Sequence, residues 1–206
     1  RDRSKRIYTS ILLIASFFLI MFISNVWIFS TTIAVICLLS FYEWIKNNFQ
    51  LTIFGFLIIA NFGFWSIFYI HLSTDLNQSS YLMYALIITN TAIFDTFAFL
   101  IGSNFGKTYI AKKISPNKTL EGIIGGIFAS LFFAIIVGYV FDIFFIVLIF
   151  IIASIFAFFG DLLVSYFKRQ SGIKDTGNVL PGHGGILDRI DSHLLATPIS
   201  ILALII

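Results

Sequence analysis

About seven apolar stretches, each about 20 residues long, take up most of this 206-residue chain and constrain its fold more than any other feature. A helix of about 20 apolar residues is long enough to cross the hydrocarbon core of a bilayer. Charged residues make up only 11% of the sequence, against about 25% in a soluble domain, so a water-soluble globule would lack polar surface. We therefore predict an all-α, polytopic membrane helix bundle with about seven transmembrane helices. They are expected at residues 7–23, 25–44, 51–71, 81–102, 120–141, 143–167 and 192–206.

The positive charges indicate how these helices cross the membrane. If the N-terminus is cytoplasmic, all 13 Lys and Arg residues fall on the cytoplasmic side, and the outer connections near Asn25, 72–80 and Asp142 hold none. The positive-inside rule predicts this asymmetry. The basic residues 1–6 resemble the start of a signal peptide, but no small-residue cleavage site follows, so a retained first helix is expected. Any chemistry that uses these cations is expected to face the cytoplasm.

The sequence predicts two parts. Residues 1–80 are expected to form N-terminal membrane helices, and residues 81–206 a catalytic membrane region with cytoplasmic loops at 103–119 and 168–191. Both loops are basic and rich in glycine or turn residues, so function is expected there. The single cysteine, Cys37, excludes an intrachain disulfide and is expected to face lipid or a neighbouring helix.

Two aspartates lie inside predicted spans, where a charge is costly and usually marks function. Asp95 lies about seven residues from the cytoplasmic end of its helix, roughly 10 Å deep at 1.5 Å per residue. Asp161 lies at a similar depth above Lys168. The two carboxylates are candidates to converge on one pocket. The alternative is that each one only hydrogen-bonds a neighbouring helix.

The segment that follows Asp161 interleaves cations, glycines and carboxylates. Asp161, Ser165 and Lys168 share one helix face, because they are four and seven residues apart. After them come Arg169, Gly172, Lys174, Asp175, Gly177, the glycine-rich run 181–185 with His183, then Asp188, Arg189 and Asp191. Glycines admit a bulky anion, cations neutralise it, and carboxylates suit a hard cation such as Mg²⁺. The pattern indicates a metal–polyphosphate site; a solvated loop that obeys the positive-inside rule would explain the cations alone.

The loop 103–119 offers a second basic arm with Lys107 and Lys118, but the spacing of a P-loop is absent. Ser115 or Thr119 is a candidate cap of the next helix. The spacing of Gly122 and Gly126 favours close packing between helices.

The residues from 165 to 191 resemble the signature of the phosphatidate cytidylyltransferases, also called CDP-diglyceride synthases. The matching positions are Ser165, Lys168, Arg169, Lys174, Asp175, Gly177, Leu180, Pro181, His183, Gly184, Gly185, Ile186, Asp188, Arg189, Ile190 and Asp191. Upstream, Asp95, Ala98, Gly102, the run 105–107, and Lys118, Glu121 and Gly122 are similar to the family as well. Phe99 stands where the family usually has Tyr, and Leu120 where Trp is common.

The resemblance implies a Mg²⁺-dependent reaction at a lipid bilayer, in which CTP and phosphatidic acid give CDP-diacylglycerol and pyrophosphate. It leaves open whether a second cation takes part and whether the protein forms a homodimer. It implies catalytic roles for Asp161, Lys168, Asp188 and Arg189, and metal binding by Asp161, Asp188 and Asp191. Substrate contacts are expected from Asp95, Lys107, Lys118, Ser165, Arg169, Lys174 and His183. No aromatic–basic pattern for nucleic acid is present. A bacterial cytoplasmic membrane is the expected location.

Three alternatives stay open at this point. The first is a CTP-dependent lipid kinase, or a cytidylyltransferase that acts on another lipid. The second is an ion- or proton-coupled transporter that uses Asp95 and Asp161 as a relay, which the apolar outer halves of the helices disfavour. The third is an inactive, truncated homologue that serves as a partner subunit.

Overall fold

The computed structural model describes the backbone of residues 2–72, 79–177, 179 and 184–206, and the side chains of these ranges from residue 11 onward. Helices dominate these ranges and no strand occurs in them. The helices are α1 (Asp2–Ile23), α2 (Val26–Lys46), α3 (Thr52–Leu72), α4 (Ser79–Phe105), α5 (Leu120–Phe141), α6 (Phe145–Gln170), α7 (Leu187–Ile190) and α8 (His193–Ile205).

Five of these helices, α2 to α6, are long and apolar enough to cross a membrane. Helices α1 and α8 contribute the shorter apolar stretches Ile11–Ile23 and His193–Ile205. Large apolar side chains on the helix surfaces are exposed, among them Trp27 at 78% and Tyr139 at 79%, as expected where lipid replaces water. The predicted all-α polytopic membrane architecture is confirmed, whereas the count of seven spans and the cytoplasmic N-terminus stay predictions.

Short polar residues fix where several helices begin and end. The side chain of Asn25 accepts hydrogen bonds from the N–H groups of Trp27 and Ile28 at the start of α2. Thr119 caps α5 by accepting a hydrogen bond from the N–H of Gly122, so the predicted cap is confirmed. Asp142 ends α5 in the left-handed region, with φ of 56°. These caps satisfy backbone groups that a helix end leaves without intrahelical partners.

The chain divides into two compact units, and the first comprises Arg1–Ala85 and Phe167–Ile190. Its helices α2 and α3 pack along each other, and α2 also contacts α7. Trp44 of α2 is fully buried between Phe49 and Phe167, at ring-centroid distances of 5.2 and 4.8 Å. The division predicted from the sequence, into residues 1–80 and 81–206, stays a prediction.

Cys37 faces the neighbouring helix, as one of the two expected orientations. Its Sγ donates to the carbonyl oxygen of Ile59 at 3.6 Å, and the thiol is half-buried. It packs so closely on Gly63 of α3 that a Cβ there would lie 2.8 Å from Sγ.

The second unit comprises Leu86–Tyr166 and Asp191–Ile206. Its helices approach closely at the glycines of α5, since a Cβ at Gly126 would lie 2.8 Å from the carbonyl oxygen of Phe94. The predicted close packing at these glycines is confirmed. A buried polar chain also joins three helices of this unit: Ser154 donates to Ser130 at 2.7 Å, and Ser130 donates to Asn90 at 2.6 Å. Such contacts link helices where lipid offers no hydrogen-bond partners.

Candidate active site

Asp188 is the centre of a polar cluster in the first unit, which we call the Asp188 cluster: Lys168, Thr176, Gly185 and Asp188. The Lys168 Nζ donates to Oδ1 of Asp188 at 2.8 Å, and only 5% of the Asp188 side chain is exposed. Its Oδ2 accepts hydrogen bonds from the N–H groups of Thr176 at 2.7 Å and Gly185 at 3.0 Å. The cluster holds one carboxylate between an ammonium group and backbone donors.

The charge of Asp188 is stabilised by these donors. Burial raises the pKa of Asp188, but the hydrogen bond and charge of Lys168, with the N–H groups of Thr176 and Gly185, outweigh burial and hold the pKa below its usual value. The carboxylate is therefore ionised at neutral pH. A carboxylate has to be ionised in order to bind a cation.

Glycine is required at positions 184 and 185 for two different physical reasons. Gly184 adopts a φ of +81°, in the region that side chains rarely enter. Gly185 has an ordinary φ, but a Cβ there would overlap the hydroxyl of Thr176 and the carboxylate of Glu43. The backbone of Gly185 is therefore in direct contact with both buried polar groups.

Glu43 is a buried acid that the sequence analysis did not single out. It lies near the end of α2, is 1% exposed, and accepts hydrogen bonds from the N–H groups of Ile186 and Leu187, both at 2.9 Å. Its Oε2 also accepts from the hydroxyl of Thr176 at 2.8 Å. A signal was present in the sequence, because Glu43 is an acid within the apolar stretch that forms α2.

Asp161 is the centre of a second cluster, in the second unit, which we call the Asp161 cluster: Lys118, Asp161 and Ser165. The Lys118 Nζ lies 2.6 Å from Oδ2 of Asp161, and Ser165 donates to Oδ1 at 3.1 Å. The ammonium group of Lys118 also lies 4.7 Å from the centre of the Phe158 ring. The Lys118 side chain is 17% exposed and that of Asp161 29% exposed, so both groups remain within reach of a ligand.

Asp95 lies close to the Asp161 cluster. Its carboxylate hydrogen-bonds Ser192 and interacts electrostatically with Asp161 and Lys118. Within this unit, the structure therefore brings the two in-span aspartates together, and it also gives Asp95 the neighbouring-helix contact that the alternative predicted.

Asp191 stands at the start of the segment that leads into α8. Its Oδ1 accepts a hydrogen bond from the N–H of Ser192 at 2.8 Å. Its carbonyl oxygen lies so close to Gly160 that a Cβ there would be 2.5 Å away. The backbone of Asp191 therefore packs on the turn of α6 that carries Asp161.

The base of the 103–119 loop is closed by hydrogen bonds that position Lys118. The Glu121 carboxylate accepts from the N–H groups of Lys107 and Thr108, with Oε2 at 3.1 Å from each. An isolated antiparallel bridge pairs Tyr109 with Thr119. These contacts fix the chain on both sides of Lys118, whereas the Lys107 side chain is exposed.

The remaining predicted residues lie on exposed surface or outside the described residues. Arg169 is exposed and donates to the carbonyl oxygen of Ile173 at 3.3 Å. Lys174 and Arg189 are exposed. His183 lies outside the described residues, so its predicted substrate contact stays a prediction.

Comparison with known proteins identifies the family. The sequence profile described as the cytidylyltransferase family matches residues 46–206. The chain belongs to the cytidylyltransferase family. A protein from Staphylococcus haemolyticus that is named phosphatidate cytidylyltransferase is 38% identical over 183 residues, which cover 86% of this chain and 69% of that relative. The family prediction is confirmed.

Further relatives with the same name match shorter parts of their own length. The protein from Bacillus subtilis is 37% identical over 172 residues, which cover 80% of this chain and 63% of that relative. The protein from Staphylococcus aureus is 44% identical over 123 residues, which cover 58% of this chain and 46% of that relative. The chain thus spans less than two thirds of the length of these two cytidylyltransferases.

The glycine contact in the Asp188 cluster of this cytidylyltransferase gives a testable prediction. We expect Gly185→Ala to lower the midpoint of thermal unfolding in detergent, because the added methyl group overpacks a full site at a cost of about 1–3 kcal/mol. Gly138→Ala is the matched control, since a Cβ at Gly138 meets nothing nearer than 3.4 Å. Equal midpoints for the two variants would contradict the close contact with Glu43 and Thr176.

Proposed function

We propose that this chain transfers the cytidylyl group of CTP to phosphatidic acid, giving CDP-diacylglycerol and pyrophosphate. The observation that carries the proposal is its 38% identity over 183 residues to a relative that is named phosphatidate cytidylyltransferase. The two clusters support it, because each places an ammonium group and a carboxylate at one point. That combination suits a triphosphate that arrives with a metal ion.

The proposed step is a displacement at phosphorus. A phosphate oxygen of phosphatidic acid attacks the α-phosphorus of CTP, and the bond from that phosphorus to the bridging oxygen of the β-phosphate breaks. The bonding electrons leave with pyrophosphate, and the new phosphorus–oxygen bond completes the diphosphate of CDP-diacylglycerol. The attacking phosphate is already an anion near neutral pH, so the protein has mainly to hold two anions together and to neutralise charge.

Mg²⁺ is proposed as the metal, with the carboxylates of Asp161, Asp188 and Asp191 as its candidate ligands. The residues fit such an ion in their chemistry, because each of the first two carboxylates already receives a positively charged ammonium group in the structure. Among the described residues, no group of three or more acidic, His or Cys side chains forms a metal cage. Mg²⁺ commonly binds through one or two carboxylates and substrate phosphates, and it would supply charge neutralisation at the reacting phosphates.

The cations are proposed to bind the phosphates of the two substrates. Lys118 and Lys168 each hold their ammonium group beside a carboxylate, so a bound phosphate competes with that carboxylate for the ammonium group. Arg169, Lys174 and Arg189 present exposed charges from the 168–191 segment. Lys107, Ser165, His183 and Asp95 are proposed to contact substrate, and the site to face the cytoplasm of a bacterial cell.

The test is product formation by the purified chain in mixed micelles with phosphatidic acid and Mg²⁺. One reaction receives CTP radiolabelled at its α-phosphate and the other receives CTP labelled at its γ-phosphate. We expect lipid-soluble label from the α-labelled CTP alone, and none after EDTA treatment until Mg²⁺ is restored. Label from the γ-phosphate would instead identify a lipid kinase. A folded chain that yields no labelled lipid, beside an active longer relative, would overturn the proposal.

A further inference from the structure

We propose that Glu43 is a positioning residue for the reaction, which holds Thr176 on one side of Asp188 in the chain and Ile186 and Leu187 directly before it, so that Asp188 keeps its place. The carboxylate belongs to α2, yet its hydrogen-bond donors lie 133 to 144 residues further along the chain. They are the Thr176 hydroxyl and the N–H groups of Ile186 and Leu187. The contact therefore ties a membrane-spanning helix to the segment that carries Asp188. In its kinetic part, this inference rests on the proposed function.

The burial of Glu43 shows that its contacts are needed. A carboxylate that is 1% exposed has lost its water, and it is tolerated only when hydrogen bonds replace that water. Both oxygens of Glu43 face donors: Oε1 faces the N–H of Ile186, and Oε2 faces the N–H of Leu187 and the hydroxyl of Thr176. Thr176, Ile186 and Leu187 must therefore keep their donors aligned on Glu43, because a shift that breaks these hydrogen bonds would leave a buried carboxylate without them.

Thr176 connects Glu43 to Asp188. Its hydroxyl oxygen lies 2.8 Å from Oε2 of Glu43 and 3.0 Å from Oδ2 of Asp188, and its N–H donates to the same Oδ2. A hydroxyl has one proton, so the Thr176 hydroxyl donates it to Glu43, the nearer of the two carboxylates, and the N–H of Thr176 donates to Asp188. Asn47, one turn after Glu43, also donates to the carbonyl oxygen of Thr176 at 2.6 Å. Glu43 of α2 and Asn47 directly after that helix thus hold the hydroxyl and the carbonyl oxygen of Thr176, and the N–H of Thr176 holds Asp188.

Glu43 acts through other residues rather than on the substrate. Its side chain is enclosed, and the backbone of Gly185 lies directly against its carboxylate. No space remains beside the carboxylate for a phosphate or a metal ion. Its effect on the reaction is therefore expected through the position of Asp188.

The kinetic test compares Glu43→Gln with Ser40→Ala. Gln has nearly the same size as Glu, but its amide replaces one acceptor oxygen by an N–H₂ group. That group would face the hydrogen-bond donors that the carboxylate of Glu43 now accepts from. We expect kcat to fall about tenfold or more, the effect of losing a group that orients a metal ligand, with a smaller change in the KM for CTP. Ser40 is the matched control, because it is buried on the same helix and its hydroxyl bonds the carbonyl oxygen of Ile36 within α2. Wild-type kcat in Glu43→Gln would overturn the inference.

A second measurement needs no catalytic activity. Trypsin is expected to cleave after exposed Lys174, two residues before Thr176, and after exposed Lys112 and Lys113 in the other loop. We expect Glu43→Gln to speed cleavage after Lys174 about tenfold, since donors lose their acceptor, and to leave cleavage after Lys112 and Lys113 unchanged. Equal rates at Lys174 in both proteins would overturn the inference. If the wild-type chain proves inactive, the proposed function fails while this comparison still tests Glu43.

A double variant separates positioning from general destabilisation. Thr176→Val removes the hydroxyl and keeps the shape of the side chain. If Glu43 acts partly through Thr176, Glu43→Gln has a smaller effect on kcat in the Thr176→Val background than in the native chain. Multiplicative effects of the two substitutions would overturn this route. Should Glu43→Gln not fold, Thr176→Val alone is expected to speed cleavage after Lys174, and an unchanged rate would overturn the inference.

Discussion

Asp188→Asn is expected to reduce turnover by a factor on the order of 10³, as for the loss of a central charge-stabilising group in an active site. The amide would retain an oxygen that accepts hydrogen bonds, but it would lose the charge that faces Lys168 at 2.8 Å. It would also place an N–H₂ group toward the donors of Thr176 or Gly185. A neutral side chain is a much weaker ligand for Mg²⁺, so substrate phosphates would lack their counter-ion.

The measurement is the rate of CDP-diacylglycerol formation at saturating CTP and Mg²⁺, with helical content followed by circular dichroism. Asp142→Asn is the matched control, because it makes the same chemical change in the αL C-cap of α5, where Asn is readily accepted. Retention of more than a few per cent of the native rate by Asp188→Asn, in a folded protein, would contradict the catalytic and metal-binding role.

The second large effect is expected at the ion pair of Lys118 and Asp161, whose charged atoms lie 2.6 Å apart. A pair that serves only the fold can often be replaced by uncharged groups at little cost, while removal of one partner alone is strongly destabilising. If both groups act on substrate and metal, the uncharged pair folds but does not catalyse. The two explanations therefore differ in the behaviour of the double variant.

We expect Asp161→Asn and Lys118→Met each to lower turnover by about 10²-fold or more. The double variant Lys118→Met/Asp161→Asn is expected to recover thermal stability relative to the worse single variant, yet to stay inactive. Product formation and the thermal midpoint in detergent are measured for all three variants. Recovery of activity in the double variant would show that the pair is structural.

Much of the fold was predictable because apolar length and caps are local signals. The helix predicted at 120–141 coincides with α5, and the Thr119 cap before it was visible in the sequence. The helix predicted at 143–167 continues to Gln170 in the structure. The last turn of this helix holds Lys168, Arg169 and Gln170, which are polar. A prediction based on apolar length therefore ends before them.

The candidate site was predictable in its residues and less so in its contacts. Asp161 and Lys118 were both singled out, but their ion pair joins residues from a loop and from a later helix, and no local pattern relates them. Asp188 and Lys168 lie 20 residues apart, and their pairing depends on how the intervening segment folds. Glu43 carries a signal as an acid within an apolar stretch, but it was missed because it stands near the end of that stretch and its partners lie more than 130 residues away.

The packing of Cys37 against Gly63 makes this chain suited to chemical mapping of its orientation. The protein has one thiol, and that thiol is half-buried inside α2 against its neighbour. A second thiol introduced by Lys112→Cys, at an exposed loop position, would therefore be the reactive one toward a membrane-impermeant maleimide. Labelling only after the cytoplasmic face is opened would place that loop inside the cell, and labelling of intact cells would place it outside.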